Sequence, residues 1–220
     1  MTSVRPSFIV LGLPGNALRV PDQEAQEILR SHTVFCGGRR QRELAAPWLP
    51  SAHRWLPFRG TQDLLRHAQE LQEPIVMLAS GDPLYHGIAS SLLACQPTPR
   101  LKVVPWFTSL QLLCNRLLKP YAMLHTVSVH GRDWHELDRA LLRGERLIGV
   151  LTDAVRGPAA IAQRLLAYGY GHYSLHVGEN LESPTESVSS LDLLNAAGRA
   201  FARGPAPSRL HAWAAALRPC

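Results

Sequence analysis

The stretch Pro74-Ile-Val-Met-Leu-Ala-Ser-Gly-Asp-Pro-Leu-Tyr-His-Gly-Ile-Ala-Ser-Ser-Leu-Leu93 decides the reading of this chain. Ile75 to Ala79 is a short apolar run bounded by Pro74 and Ser80-Gly81. A run of that length, apolar throughout, is how a strand buried on both faces reads. Ser80-Gly81-Asp82-Pro83 then breaks the pattern. Beyond it Leu84, Ile88, Leu92 and Leu93 recur at helical spacing. The segment is therefore strand, tight polar turn, helix. In an open α/β sheet such a turn falls at the carboxyl edge, where ligands bind. Gly-Asp-Pro also suits a turn for purely local reasons, so an ordinary turn and a binding turn both remain open.

The same alternation extends in both directions. Upstream, Phe8 to Gly15 reads as a strand running into a loop, and its Gly12-x-x-Gly15 spacing lacks the third glycine of a dinucleotide fingerprint. Pro21 and Asp22 suit a helix start ahead of Ala25, Ile28 and Leu29. Thr33 to Cys36 reads as a strand, Arg39 to Ala46 as a short helix and Arg54 to Leu56 as a third strand. Thr61 is a good N-cap for a helix carrying Leu64, Leu65, Ala68 and Leu71. Downstream, Leu101 to Val104 is a strand, and Thr108 or Ser109 caps a helix through Leu118.

After Lys119-Pro120-Tyr121 the pattern restarts. Strands are expected at 125–129, 147–151, 173–177 and 186–190, with helices at 133–143, 157–169 and 191–201. The tail 210–217 is ambiguous: its alanines favour helix, and its place after a proline-rich turn suits a final strand. The expectation is an α/β protein of two consecutive domains with mainly parallel sheets, 1–106 and 107–220.

Composition sets bounds. The 220 residues are 46% hydrophobic and 18% charged, which is globular. No apolar run approaches the ~20 residues of a membrane span, and no secretory signal is read, so neither membrane nor secretion is expected. Cys36, Cys95, Cys114 and Cys220 are widely spaced, which argues against a zinc site or a disulfide framework and makes a cytoplasmic protein with free thiols the default. The net charge of +6 suits nucleic acid, an anionic membrane or a polyanionic small molecule. The arginines are scattered apart from Arg39-Arg40-Gln41-Arg42, which reads as solvated surface, and no nucleic-acid-binding signature is found.

Each strongly marked strand ends in polar or glycine residues: Gly12 to Gly15, Ser80 to Asp82, Thr108-Ser109, His130 to Arg132, Thr152-Asp153 and Gly178 to Asn180. If the two domains face each other, these turns line one cleft. There is no Gly-x-Ser-x-Gly elbow, no Walker lysine loop and no His-x-x-x-His pair, so no metal and no covalent nucleophile is expected.

Five ordered motifs carry a resemblance. Ala79 to Gly87 resembles the Gly-Asp-Pro segment of the tetrapyrrole methylases. Pro105-Trp-Phe-Thr-Ser109, Ser128-Val-His-Gly-Arg132, Leu151-Thr-Asp153 and Val177-Gly-Glu-Asn-Leu181 follow in the family's order. Together they resemble the CbiE type, the E subunit of precorrin-6Y C5,15-methyltransferases or the N-terminal half of the fused CobL type. The sequence departs from that pattern in its first loop, at Phe107-Thr108, and at Tyr121 and Met123.

The resemblance implies the two-domain methylase fold and methylation of carbon 5 of precorrin-7 or cobalt-precorrin-7, with S-adenosylmethionine as methyl donor. It implies a homodimer and a T-type subunit or fused domain as partner. It places the donor at Gly12, Gly15, Ala79, Gly81, Asp82, Leu84, Thr108, Ser109, Thr152, Asp153, Gly178, Glu179 and Asn180. The tetrapyrrole falls to Tyr85, His86, His130 and Arg132, with no catalytic residue assigned. A methylase-like scaffold that binds the macrocycle or a T-type partner is the alternative.

Overall fold

The computed structural model describes residues 7–15, 21–71, 73–96, 98–198 and 214–219. The chain divides into two compact units, Met1–Thr108 and Ser109–Cys220.

The first unit is built on five parallel strands: β1 (Phe8–Leu13), β2 (Val34–Cys36), β3 (Arg54–Leu56), β4 (Ile75–Ser80) and β5 (Leu101–Val104), in the order β3-β2-β4-β1-β5. All six residues of β1 are buried, because both faces of the sheet are covered. Ile9, Leu11 and Leu13 face a core with Leu29 of α1 (Gln23–Ser31) and Ala45 of α2 (Arg39–Ala45). Phe8 and Val10 face a second core with Leu64 of α3 (Thr61–Glu70) and Leu92 of α4 (Ile88–Leu93). The connections run outward from β1 through α1 and α2, then back through α3 and α4. With right-handed crossovers, that reversal puts the helix pairs on opposite faces.

One local expectation holds and two shift. Asp22 does cap α1, accepting the Ala25 N–H at 2.8 Å. Thr61 is the first helical residue of α3 and not its cap, which is Gly60 at φ 115°. Leu84 does not join the helical stripe: α4 begins only at Ile88, and Leu84 lies exposed in the turn.

The second unit has β6 (His125–Ser128), β7 (Ile148–Leu151), β8 (Tyr173–Glu179), β9 (Ser187–Leu191) and β10 (Ala214–Pro219), in the order β6-β7-β10-β8-β9. Only β6 and β7 pair in parallel; β10 runs antiparallel between β7 and β8, and β9 runs antiparallel to β8. This sheet is mixed, against the expectation of a mainly parallel one. The link from Glu179 to Ser187 is too short for a crossover, so β9 must return antiparallel. The ambiguous tail is a strand over 214–219, while 210–213 and the expected helix end at Phe201 lie outside the described residues.

One face of this sheet is covered by α6 (His135–Leu142), α7 (Pro158–Ala167) and α8 (Leu193–Gly198), around Val127, Ile148, Val150, Leu175 and Val177. On the other face lies α5 (Ser109–Arg116). Two glycines on alternate strand positions admit it: a Cβ at Gly149 would come 3.0 Å from a Leu110 methyl, and one at Gly178 would come 3.1 Å from a Leu113 methyl. Cys36, Cys95 and Cys114 are free and buried, and burial pushes the Cys36 thiol up to about 11, as a packing role requires.

Candidate functional site

In the first unit, the carboxyl ends of β4, β1 and β5 lie side by side, with Gly12 opposite Ala79 and Leu13 opposite Ser80. Past its end, β4 bonds to its neighbour β1 and, across the end of β1, to the extension of β5: the Gly81 N–H donates to the Leu13 carbonyl at 3.3 Å, and the Gly81 carbonyl accepts the Trp106 N–H at 3.1 Å. That second bond passes over Gly12. A Cβ on Gly12 would lie 2.0 Å from the Gly81 oxygen and 2.6 Å from the Trp106 nitrogen. Gly12 therefore holds no loop geometry of its own; it lets the extensions of β4 and β5 close over the end of β1. Gly81 itself sits at φ 65°, the left-handed region that favours glycine, with a virtual Cβ 3.2 Å from the Phe107 carbonyl.

The Gly-Asp-Pro turn is locked by its own bonds. One Asp82 oxygen accepts the Leu84 N–H at 2.9 Å, an Asx turn, and the Asp82 carbonyl accepts the Tyr85 N–H. The Leu84 carbonyl accepts the Ser90 hydroxyl, and the Pro83 carbonyl caps α4 through Ala89. His86 is held at φ 52°, its ring edge-on to Tyr85 at 4.9 Å. A non-glycine residue there costs of order 1 kcal/mol, which the surrounding bonds must offset. Asp82 keeps its second carboxylate oxygen outside these bonds, beside the Gly81 turn. Thr108 is buried, and Ser109 opens α5.

Sequence reading missed Arg40. In the run Arg39-Arg40-Gln41-Arg42, Arg39 pairs with Glu43 and Arg42 lies 5.2 Å over the Trp55 ring. Gln41 donates to the Ser80 hydroxyl at 2.8 Å, and Arg40 reaches the Gly15 carbonyl at 3.0 Å. The helix α2 thus lays two side chains on the carboxyl edge, one at β4 and one beyond β1. Only the tertiary path of α2 separates these roles, since the three arginines look alike in sequence.

In the second unit the turns after β6 and β7 are laced together. The Thr152 carbonyl accepts from His130 Nδ1 at 3.1 Å; a carbonyl can only accept, so Nδ1 carries the proton. One Asp153 oxygen accepts the Val155 and Arg156 N–H groups, and the other accepts the Gly131 N–H at 2.8 Å. Desolvation, the largest single influence on Asp153, acts upward. The three backbone donors and the nearby His130 together outweigh it and hold the carboxyl below its ordinary value. With both oxygens engaged, Asp153 clamps the His130-Gly131-Arg132 turn. Gly131 is at φ 63° with open space beside it. Among the described residues the Arg132 guanidinium keeps only a loose, half-exposed pairing with Glu136 at 3.7 Å.

The third expected group is not brought to these two. β10 separates β8 from β7, so the Gly178-Glu179-Asn180 end stands two strand spacings, about 10 Å, from the Thr152 turn. Gly178 packs against Leu181 and Leu113, and Asn180 and Glu182 both take positive φ. Glu186 anchors that loop, accepting the Glu182 N–H at 2.6 Å and both arms of the Arg116 guanidinium. Among the described residues no cluster of His, Cys, Asp and Glu suits a metal, and no helix is long and apolar enough to cross a membrane.

Comparisons with known proteins bear on this arrangement. The chain is 30% identical over 189 residues to a precorrin-6Y C(5,15)-methyltransferase [decarboxylating] of a Sinorhizobium species, covering 85% of this chain and 45% of that protein. It is 35% identical over 114 residues to the cobalt-precorrin-7 C(5)-methyltransferase of Salmonella typhimurium, covering 52% of this chain and 55% of that one. The chain spans about half the length of these curated relatives. A solved uroporphyrin-III C-methyl transferase of Thermus thermophilus, complexed with S-adenyl homocysteine, shares the fold. Its TM-score is 0.68 at 22% identity, with 96% of this chain and 92% of that one covered. The family model described as Tetrapyrrole (Corrin/Porphyrin) Methylases matches residues 19–195, which takes in every turn described above except that after β1. The chain belongs to the tetrapyrrole (corrin/porphyrin) methylases.

Proposed function

We propose that this chain is an S-adenosylmethionine-dependent C-methyltransferase of corrin biosynthesis, acting at carbon 5 of precorrin-7 or its cobalt form. The observation that carries this reading is the sequence likeness to two relatives whose names both specify position 5. The Sinorhizobium relative is named for a second position and for decarboxylation, and this chain spans 45% of it. Those further steps are assigned to a T-type domain or subunit outside the matched length. A homodimer working in the cytoplasm completes the proposal.

The methyl donor, when bound, supplies an electrophilic methyl group on a sulfonium. The residues fit such a group: the ammonium of its amino-acid moiety meets a spare Asp82 oxygen on the sheet edge, and the close-packed Gly12-Gly81-Trp106 backbone fixes that edge. Ala79, Gly15, Leu84, Thr108 and Ser109 belong to the same strand ends, and Thr152, Gly178, Glu179 and Asn180 to those of the second unit. The chain's work is positioning. Holding donor and acceptor carbons about 3–3.5 Å apart supplies much of the rate, so no covalent residue is needed. His130 and Arg132, on a clamped turn, hold carboxylates of the macrocycle, Arg132 through its planar fork. Tyr85 and His86 offer ring surface to it.

Titration of the purified chain with S-adenosylmethionine is expected to give saturable binding; a folded protein that binds none overturns the reading. Incubation with precorrin-7 and methyl-labelled donor is expected to move one label to the corrinoid. Arg132→Ala is expected to raise KM for the macrocycle about tenfold, the loss of one charged hydrogen bond, with donor affinity unchanged. An unchanged KM removes Arg132 from substrate binding.

A further inference from the structure

We propose that Arg40 is a ligand-binding residue that receives a carboxylate at the carboxyl edge of the first sheet. The inference rests on the methyltransferase reading and adds to it a residue outside the five motifs. Arg40 is half-buried on α2, and among the described residues the only bond its side chain makes is the 3.0 Å bond to the Gly15 carbonyl. A guanidinium carries five N–H donors and stays charged in proteins. Burial lowers its pKa, which marks a cation taken partly out of water. Such a cation is ordinarily paired with an anion, since desolvation without a countercharge is costly. Among the described residues no carboxylate meets it, whereas its neighbour Arg39 pairs with Glu43.

Its position gives the unpaired donors a use. Gly15 follows β1, and the adjacent Gln41 binds Ser80 at the end of β4, immediately before the Gly81-Asp82 turn. The cation therefore stands on the edge where parallel strands present ligands. A planar fork matches carboxylate or phosphate bidentately, and the ligands of the proposed reaction carry carboxylates. Two sources carry one: the amino-acid end of the methyl donor, and the acid side chains of the tetrapyrrole. A structural role, pinning the loop after β1, needs one N–H and leaves the rest of the guanidinium unexplained.

Calorimetric titration of the full chain distinguishes these. Three probes are used: S-adenosylhomocysteine, 5′-methylthioadenosine, which lacks the amino-acid group, and uroporphyrin, a macrocyclic polycarboxylate. Arg40→Gln is expected to weaken one carboxylate ligand about tenfold or more, the scale of a charge-assisted pair. Loss for S-adenosylhomocysteine with 5′-methylthioadenosine unchanged assigns the donor's carboxylate; loss confined to uroporphyrin assigns the macrocycle's. Arg40→Lys keeps the cation without the fork and is expected to lose several-fold; it decides the matter if Arg40→Gln does not fold. If the wild type binds these probes and neither variant changes any affinity by as much as twofold, the proposal is overturned while the methyltransferase reading stands. A wild-type chain that binds none of the three overturns both.

Discussion

Gly12→Ala will destabilise the first unit by about 3–5 kcal/mol, the sum of forced overpacking and a lost buried hydrogen bond. The new Cβ would stand 2.0 Å from the Gly81 carbonyl oxygen and 2.6 Å from the Trp106 nitrogen, both backbone atoms with no rotamer to move away. Relief requires the β4 and β5 extensions to part, which breaks the 3.1 Å Gly81–Trp106 bond and shifts the Gly-Asp-Pro turn. A typical domain has only about 5–15 kcal/mol to lose. Urea denaturation is expected to show the midpoint falling steeply, with donor affinity falling at urea concentrations where the chain stays folded. Gly171→Ala, in open space and exposed, serves as control and is expected to change stability by less than about 0.5 kcal/mol. Equal midpoints for Gly12→Ala and wild type would disprove the closure over β1.

Asp153→Ala will cost about 2–4 kcal/mol and loosen the turn that presents His130 and Arg132. It removes the charged, half-buried carboxylate that accepts three backbone N–H groups. Asp153→Asn separates two effects. Its Oδ1 still accepts from Val155 and Arg156, but an amide nitrogen cannot accept the Gly131 N–H. Asn is therefore expected to cost about 1–2 kcal/mol while weakening macrocycle binding nearly as much as Ala. The pH dependence has a definite sign. Because the folded pKa is depressed, the stabilisation is fully present above the unfolded value of 3.8 and is lost as pH falls through the folded value. Wild type should lose stability below that pH more steeply than Asp153→Asn. Coincident acid limbs in urea melts across pH would show that Asp153 is not the clamp.

The first unit was legible because its signals are local. Apolar runs closed by Gly, Pro and Asp place β1, β2, β4 and β5 nearly to the residue, and Asp22 announces α1 by a cap that is itself local. The second unit was less legible. Its elements were foreseen, yet strand direction depends on which strand finds which partner. Nothing within the tail 214–219 says that it inserts between β7 and β8. Leu84 shows the limit of periodicity: its spacing to Ile88 is helical, but the Asx turn at Asp82 captures the backbone first.

The sequence by itself determined the strand–helix alternation, the polar strand ends and the motif order that places this chain among the tetrapyrrole methylases. These are properties of neighbouring residues, set by side-chain period and turn chemistry. The tertiary structure alone decided what each polar residue does. It made Gly12 a point of backbone closure, turned Asp153 into a clamp for the His130 turn, held Gly178 to Asn180 apart, and brought Arg40 out of a basic run onto the sheet edge. Each of those outcomes is a contact between segments distant in the chain, and local propensity carries no information about such contacts.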